Sequence, residues 1–227
     1  MKKQFKRFTL VEMLTVVAII SILAALVIPT VIIAQNRGRV TQAKSDIASI
    51  ITAMKQLKSD YNRVLLSDGT INGTPKASIT NDSDDAEDKI ATISGNVYDV
   101  FIAEISAPKT SGLGTDAKKR INKRKKVYLD PKSSFDPTKS VSDNKDNLWR
   151  DPWGSAYTVY VKLEKTNQFT IPGTSKTIAS DMAVYSFGPN GEDDKGCNVE
   201  LDVCIKKDKD DDDDTHKKHD DIASWNL

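Results

Sequence analysis

The sequence predicts an α+β protein in which a long N-terminal helix packs on a small antiparallel sheet. Two patterns in the 227 residues lead to this prediction. Residues 8–66 read as one helix, apolar on all sides at first and then apolar on one side. Residues 157–187 contain short stretches in which apolar and polar side chains alternate, as is typical of half-buried strands. Such a sheet needs a cover for its apolar face, and the striped part of the helix can supply it.

The first part of the predicted helix, residues 8–34, has the composition of a membrane-spanning segment. Residues 14–34 are 21 in number and carry no charge, and about 20 apolar helical residues cross a bilayer core. The apolar run continues past Ala25, where a secretory signal would be cut, which favours a membrane anchor. Basic residues before the run predict that this end faces the cytoplasm and that the rest of the chain is exported. Pro29 lacks an amide donor, so we expect a kink or local melting there.

The second part, residues 35–66, predicts an amphipathic continuation of the same helix. Its apolar residues recur at intervals of three or four, which places them on one side of a helix. They are Val40, Ala43, Ile47, Ile50, Met54, Leu57, Tyr61 and Leu65. Asp46 and Lys58 lie off this stripe. We therefore expect one side of this part to pack on a globular domain formed by residues 67–227.

The globular domain is expected to combine a second helix with three strands. Residues 67–85 are rich in turn-forming side chains and predict a loop. A second helical stripe begins at Asp85. Its apolar residues are Ile90, Ile93, Val97, Phe101 and Ile105. Residues 107–147 predict irregular structure. The strands are expected at residues 157–163, 169–171 and 182–187, joined as an antiparallel meander.

Two runs of like charge lie within this domain. Lys118–Lys126 carries seven basic residues out of nine, and Asp208–Asp214 carries six aspartates out of seven. The basic run has no interleaved aromatic residue on which a base could stack, so we expect a solvated or subunit-bridging loop and no nucleic-acid partner. The acidic run belongs to a C-terminal acidic loop and reads as a solvated insertion.

The two cysteines, Cys197 and Cys204, are separated by six residues. Disulfides persist in exported domains, which predicts a small disulfide loop between them. One alternative is a zinc site completed by His216 and His219, although zinc-binding cysteines are usually separated by two to four residues. The other alternative is a pair of free thiols.

The segment that follows the basic leader reads Phe8-Thr-Leu-Val-Glu-Met-Leu-Thr-Val-Val. Together with the leader and Pro29, it resembles the class III signal of type IV pilins and type II secretion pseudopilins. The resemblance implies that residues 1–7 are a leader peptide, which a prepilin peptidase removes by cutting between Arg7 and Phe8. Phe8 would then be N-methylated. The family's peptidase normally cuts after Gly, and this chain has Arg7 at that position.

Glu12 is the one ionisable group in residues 8–34. A carboxylate at the centre of a bilayer costs about 2.5–3.5 kcal/mol or more, and such a residue usually marks a function. The resemblance implies that Glu12 meets the freed N-terminal amine of a neighbouring subunit, so that Glu12 and Pro29 serve filament assembly. Paired charges in an apolar core would set the register, because a slipped subunit leaves both unpaired. The alternative is a carboxylate that faces the lipid headgroups at the helix end.

Three later segments resemble motifs of the major pseudopilins. They are Asp151-Pro-Trp-Gly-Ser-Ala-Tyr, Val184-Tyr-Ser-Phe-Gly-Pro-Asn-Gly and Asp220-Asp-Ile-Ala-Ser-Trp. The resemblance implies a pilin-like fold and a homopolymer, the periplasmic pseudopilus that drives type II protein secretion. Its partners would be an inner-membrane assembly platform and minor pseudopilins. The chain would cross the bacterial inner membrane once, with its C-terminal domain in the periplasm.

Other functions stay open within the same resemblance. A type IV pilin of a surface pilus would be extracellular and would serve adhesion, motility or DNA uptake. A membrane-anchored periplasmic domain is a further alternative, although it would leave Glu12 and the helix stripe without a role. The sequence shows no nucleophile–base spacing and no phosphate-binding glycine loop, so we do not expect an enzyme.

The resemblance also implies a calcium ion in the C-terminal loop, because major pseudopilins hold one there with carboxylates and backbone carbonyls. Asn190, Asp220 and Asp221 are the expected ligands, and Asp193 or Asp194 could replace one of them. Calcium takes six to eight oxygen ligands, which acidic loops supply. The alternative is a solvated acidic loop without a metal.

Overall fold

The computed structural model describes residues 9–65, 69–71, 76–81, 89–110, 113, 120–163, 168–171, 177–189, 203–205, 216–218 and 222–223. The chain divides into two compact units, one up to Thr41 and one from Gln42 onward. Helix α1, Leu10–Tyr61, contributes residues to both units. We call them the N-terminal unit and the C-terminal unit.

The N-terminal unit consists, in its described part, of the apolar portion of α1. Its residues from Thr9 to Arg39 are exposed, apart from Pro29, of which only the backbone is described. The helix is long and apolar enough to cross a membrane, as judged by length and composition alone. It is assigned without a break through Pro29, so the local melting expected there does not occur. The surrounding turns tolerate the loss of one amide donor.

The portion of α1 in the C-terminal unit buries the predicted stripe. Five of the predicted residues have no exposed surface: Ala43, Ile47, Ile50, Met54 and Leu57. The helix ends at Tyr61, short of the expected Leu66, because Asn62 takes the left-handed conformation with φ 53°. Asn tolerates this conformation better than most residues, and it often follows the last turn of a helix. Leu65 is buried as the stripe predicts, but it lies beyond the helix.

The other described elements of the C-terminal unit are one α-helix, a 3-10 helix and short strands. Helix α2 is Gly95–Ser106 and the 3-10 helix is Lys145–Asn147. The strands are β1 Ser78–Asn81, β2 Lys89–Ile93, β3 Thr158–Lys162, β4 Phe169–Thr170, β5 Thr177–Ile178, β6 Met182–Ser186, β7 Val203–Ile205, β8 His216–Lys218 and β9 Ile222–Ala223. In this described part, the main sheet has the order β1-β2-β3-β6-β9, and all its neighbouring strands are antiparallel. The α+β arrangement of a long helix and a small antiparallel sheet confirms the predicted fold class.

The prediction of a helical stripe from Asp85 is wrong for its first half. Ile90 and Ile93 lie in β2, and α2 begins only at Gly95. Strand β2 pairs with β1 on one side and with β3 on the other, and this non-local pairing overrides a local spacing of three. Gly95 has φ 55° at the junction, a conformation that glycine adopts at little cost. Strand β1 likewise lies in a segment expected to be a loop.

The predicted three-strand meander is also corrected. Strand β3 pairs directly with β6, with Val159 opposite Val184, while β4 pairs with β5 in a separate hairpin. Ile171 and Ile178, from the hairpin region, pack with Tyr160 and Tyr185 on one face of the main sheet. All five residues of β3 are buried, so both faces of the sheet are covered at this strand. Ile171 and Ile178 contribute to the cover of the face that carries Tyr160. On the opposite face, the hydroxyl of Tyr157 donates to Asp46 of α1.

Candidate assembly site

The first turn of α1 is closed by a reciprocal capping arrangement between Thr9 and Glu12. The backbone N–H and the side-chain hydroxyl of Thr9 donate to Oε2 of Glu12 over 2.8 and 2.7 Å. The backbone N–H of Glu12 donates to Oγ1 of Thr9 over 3.3 Å. This is the capping box, in which a Thr and a Glu three residues later satisfy free amides at a helix N-terminus. Glu12 therefore has a partner within its own chain.

Thr9 was not among the residues that the sequence analysis singled out. The signal for it was present, since Thr followed three residues later by Glu before an apolar run is the pattern of a capping box. The negative charge of Glu12 also lies at the positive end of the helix dipole. Arg7 and Phe8, the expected processing residues, lie outside the described residues.

Hydroxyl groups in the apolar part of α1 are satisfied by the helix itself. Thr15, Ser21 and Thr30 donate to the carbonyls of Glu12, Val17 and Val27, respectively, over 2.7–3.0 Å. Polar groups satisfied in this way can enter an apolar environment without the cost of an unpaired donor. This part of the helix is thus compatible with lipid or with the apolar surface of neighbouring helices.

The three later motifs meet at the edge of the main sheet. Asp151 is buried, and its Oδ1 accepts the backbone amides of Trp153 at 3.1 Å and Ser155 at 2.7 Å. The hydroxyl of Ser186, at the end of β6, donates to the other carboxylate oxygen of Asp151 at 2.6 Å. Ser186 is also paired with Ile222 in β9. These motifs therefore have a shared structural role, which is to hold one turn and two strands together.

Most of the expected metal and cysteine residues cannot be placed by this structure. Asn190, Asp193, Asp194, Asp220 and Asp221 lie outside the described residues, as do Cys197, His219 and the run Asp208–Asp214. Cys204 and His216 belong to β7 and β8, of which the backbone is described, with Cys204 opposite Lys217 and His216 opposite Ile205. Within the described part of the chain, no three His, Cys, Asp or Glu residues come together as a metal site. The disulfide, zinc and calcium hypotheses stay predictions.

The basic run, which we expected to be a solvated or subunit-bridging loop, is buried at Arg120 and exposed at residues 123–126. Arg120 is 3% exposed and forms two hydrogen bonds with the carboxylate of Glu104 in α2, at 2.9 and 2.7 Å. Arg120 also donates to the carbonyl of Pro108 at 2.7 Å. Burial raises the pKa of Glu104, although the guanidinium of Arg120 opposes this rise. Lys123–Lys126 are exposed, as expected of a surface loop.

Three charged residues of α1 join the helix to the rest of the C-terminal unit. Asp46 accepts from Lys132 at 3.4 Å and from the hydroxyl of Tyr157 at 3.2 Å. Asp60 accepts from Lys126 and from the hydroxyl of Tyr128, both at 2.8 Å. Lys58 forms a salt bridge with Asp181. Asp46 was expected on the polar side of the helix, but it is buried. This burial raises the pKa of its carboxyl group.

Comparisons with known proteins bear on the N-terminal region. The chain is 44% identical over 59 residues to the type II secretion system core protein G of Pseudomonas aeruginosa, covering 26% of this chain and 42% of that protein. It is 45% identical over 56 residues to the type IV major pilin protein PilA of Myxococcus xanthus, covering 25% of this chain and 26% of that protein. The N-terminal region is pilin-like. The predicted resemblance to pilins and pseudopilins is therefore confirmed.

The comparisons also set limits on that resemblance. The matches span less than half the length of each curated relative. No family model and no solved structure matches the chain. Neither relative is named as an enzyme, in agreement with the expectation of a structural protein. A pilin-like chain is expected to associate with a membrane and with copies of itself, but one relative belongs to a secretion system and the other is a pilin.

Proposed function

We propose that this chain is a major pseudopilin-like subunit that polymerises into a periplasmic pseudopilus driving type II protein secretion. The observation that carries the proposal is the capped Glu12 at the start of an apolar helix whose surface is exposed over residues 10–33. The similarity to a type II secretion system core protein G falls on the same N-terminal region. The alternative is a type IV pilin of a surface pilus, which the similarity to PilA favours.

The exposed apolar surface supports a subunit that moves from membrane to filament. The large aliphatic side chains between Leu10 and Ile33 are 44–81% exposed, and water is a poor solvent for such a surface. Lipid covers it in the precursor, and neighbouring helices cover it in the filament. Because both environments are apolar, the transfer between them costs little hydrophobic free energy.

The same proposal includes processing and membrane topology. A prepilin peptidase removes residues 1–7 by cutting between Arg7 and Phe8, and Phe8 is N-methylated. The chain then crosses the inner membrane once, and it meets an assembly platform and minor pseudopilins. An intact leader in the mass spectrum of the assembled protein would contradict this step.

The capping box suggests how Glu12 takes part in assembly. In the single chain, two donors of Thr9 satisfy Oε2 of Glu12, so the carboxylate is stabilised before any partner arrives. An amine from a neighbouring subunit adds a charged donor to the same carboxylate. A subunit displaced along the filament would leave this amine unpaired in an apolar environment. Glu12 would thus set the register of subunits.

We also propose a calcium ion at the C-terminal loop. The pairing of Ser186 with Ile222 supports the proposal, because an antiparallel β6–β9 pair brings the start of β9 beside the end of β6. Asp220 and Asp221 precede β9 in sequence, and Asn190 follows β6. The oxygen ligands of these three residues suit calcium, which would connect two distant segments.

Replacement of Glu12 tests the assembly function. We expect Glu12→Ala to insert into the membrane and to keep a folded C-terminal unit. Within the described part of the chain, the side-chain hydrogen bonds that involve Glu12 reach only Thr9 and Thr15. Filament formation, measured by electron microscopy and crosslinking in cells, should fall by tenfold or more. Thr9→Val is the matched control, since it removes the hydroxyl of the capping box and keeps the carboxylate. Normal assembly of Glu12→Ala would refute the charge-pair role.

The cellular phenotype separates the two candidate functions. Deletion of the gene should block release of exported proteins into the medium if the chain forms a pseudopilus. Loss of surface filaments with unchanged secretion would instead support the type IV pilin.

A further inference from the structure

The four residues Lys123–Lys126, which we call the basic turn, form a cluster of positive charge on the surface of the C-terminal unit. All four are exposed. Lys126 forms a salt bridge with Asp60 at 2.8 Å, whereas the other three form none within the described part of the chain. Val127, beside the turn, is 50% exposed, and it is the one large hydrophobic residue so exposed among those described in the C-terminal unit.

The basic turn is held in a fixed shape by Asn122. This residue is fully buried, and its side-chain amide donates to the carbonyls of Lys126 at 2.7 Å and Glu104 at 2.9 Å. Its side-chain oxygen accepts the amide of Lys126 at 3.0 Å, and its own carbonyl accepts the amide of Lys125 at 3.1 Å. The amide of Arg124 donates to the hydroxyl of Tyr61 at 2.9 Å. One buried side chain therefore closes the turn.

The conformation of the turn carries a local cost. Lys125 has φ 53°, in the left-handed region that Gly, Asn and Asp adopt more readily than Lys. Adjacent like charges add repulsion. Residues held in such conformations by their surroundings are concentrated at functional sites, where the geometry serves binding. A buried scaffold presents, on a strained turn, three cations that form no salt bridge with any residue that the structure describes. This arrangement suggests a surface that binds an anionic partner.

We propose that the basic turn binds the aspartate run Asp208–Asp214 of a second copy of this chain. The inference deepens the proposed filament function and rests on it. The run supplies six carboxylates, enough to pair with Lys123, Arg124 and Lys125, which form no salt bridge among the described residues. A contact between two unlike surfaces of identical chains is head-to-tail, and such contacts propagate into filaments when they do not close into a ring.

Charge balance favours this partner over nucleic acid. The chain has 33 basic and 32 acidic residues and contains one dense run of each sign, so one copy carries both halves of a complementary contact. The hydroxyl of Tyr128, the aromatic residue nearest in sequence, is engaged by Asp60. Binding of DNA by the wild-type chain, measured by electrophoretic mobility shift and lost on substitution of the turn, would overturn the proposal.

Zero-length crosslinking on the full-length chain in membranes tests the contact. A carbodiimide joins lysine amines to carboxylates in direct contact, and mass spectrometry identifies the linked peptides. In a mixture of ¹⁵N-labelled and unlabelled chains, we expect mixed-isotope peptides that link the basic turn to residues 208–214. Raising the salt from 50 mM to 0.5 M should reduce their yield, because exposed charges are then screened. Links confined to one isotope would place the contact within a single chain and refute the proposal.

A charge-removal variant with a matched control gives the second test. We expect Lys123→Gln/Lys125→Asn to reduce about tenfold the yield of mixed-isotope links formed by Lys126, whose amine the variant keeps. Exposed charge pairs are individually weak and here act together. Lys44→Gln/Lys55→Gln removes two exposed lysines from α1 and should leave the yield unchanged. Deletion of Asp208–Asp214 should abolish these crosslinks. Equal yields for both double variants would refute the proposal.

Stability measurements on Lys125→Asn test whether Lys125 has a purely structural role. Because Asn adopts the left-handed conformation more readily, Lys125→Asn should unfold at a denaturant concentration equal to or above that of the wild type. A lower midpoint together with a lower crosslinking yield would show that Lys125 serves the fold, and would overturn the proposal.

The outcomes also separate this contact from the filament function. Crosslinks between copies without any filament would refute the function and keep the contact. Filaments that form normally after deletion of Asp208–Asp214 would refute the contact and keep the function.

Discussion

The two portions of helix α1 have opposite relations to their surroundings. In the N-terminal unit its aliphatic side chains are exposed over the whole circumference, whereas in the C-terminal unit the stripe from Ala43 to Leu57 has no exposed surface. The first portion therefore depends on lipid or on other chains for its burial, and the second portion depends on its own chain. This difference shows that one helix can provide both a surface for assembly and part of a hydrophobic core, because the two functions use different segments of the helix.

The largest expected effect comes from removing one partner of a buried ion pair in the C-terminal unit. Arg120→Ala should lower the free energy of unfolding by about 3–5 kcal/mol, because it leaves the carboxylate of Glu104 buried and unpaired. Unfolding can be followed by tryptophan fluorescence, since Trp149, Trp153 and Trp225 all lie in this unit. The double variant Glu104→Leu/Arg120→Met should recover most of the loss. A change below about 1 kcal/mol in Arg120→Ala would show that the pair does not support the fold.

A pair of identical substitutions in α1 tests the comparison directly. Ile50→Ala should lower the free energy of unfolding of the C-terminal unit by about 3 kcal/mol, because it leaves a cavity at a fully buried position. Ile22→Ala, at a position 63% exposed, should change it by less than about 0.5 kcal/mol. The same fluorescence assay in detergent measures both. Equal effects would mean that the two portions of the helix do not differ as described.

Calcium should stabilise the C-terminal unit without acting on the N-terminal unit. At a free calcium concentration 100 times its dissociation constant, binding to the folded state adds about 2.7 kcal/mol. A chelator should therefore lower the Tm, and magnesium should restore it poorly because it demands a tight octahedral site. Asp221→Ala should abolish the calcium-dependent part, while deletion of Asp208–Asp214 should change it little. An unchanged Tm in chelator, with stabilisation by zinc that depends on Cys197 and His219, would favour the zinc alternative.

The smallest effect concerns the pH dependence contributed by Asp46. Burial raises its pKa in the folded state, so the folded protein binds this proton more tightly than the unfolded chain. The contribution of Asp46 to stability therefore decreases as the pH rises from the unfolded pKa through the raised folded pKa. We therefore expect the free energy of unfolding of Asp46→Asn, relative to that of the wild type, to be higher at pH 7 than at pH 4. Urea denaturation at the two pH values measures this difference. A difference independent of pH would contradict the raised pKa.

Local sequence patterns predicted the elements whose environment is uniform along their length. The stripe of α1 was correct because every third to fourth residue faces the same core. Strands β3 and β6 lie where strands were expected, but they are buried on both faces and not half-buried. The failure at β2 has a clear origin. Ile90 and Ile93 are spaced as on a helix, and their strand forms only because Lys162 and Val159, distant in sequence, supply backbone partners. Local spacing contains no information about that pairing.

The candidate sites divide in the same way. Glu12 could be singled out from sequence because a carboxylate within an apolar run is conspicuous whatever the fold, and its partner Thr9 lies only three residues away. Arg120 could not be separated from its basic neighbours. Its burial depends on Glu104, which α2 brings to it from 16 residues earlier in the chain. The sequence predicted a single basic loop. The structure shows that Arg120 is buried, whereas the basic turn Lys123–Lys126 is exposed.

The sequence by itself determined the membrane-compatible helix, because apolarity over a bilayer's thickness and a capping box are properties of neighbouring residues. Only the tertiary structure decided the order of the strands in the sheet and the packing of Ile171 and Ile178 on Tyr160 and Tyr185. It also decided that the later motifs meet at Asp151 and Ser186. The physical reason is the range of the interactions. Helix formation and capping join residues within four positions, whereas Asp151 and Ser186 are 35 positions apart and meet only when the whole C-terminal unit is packed.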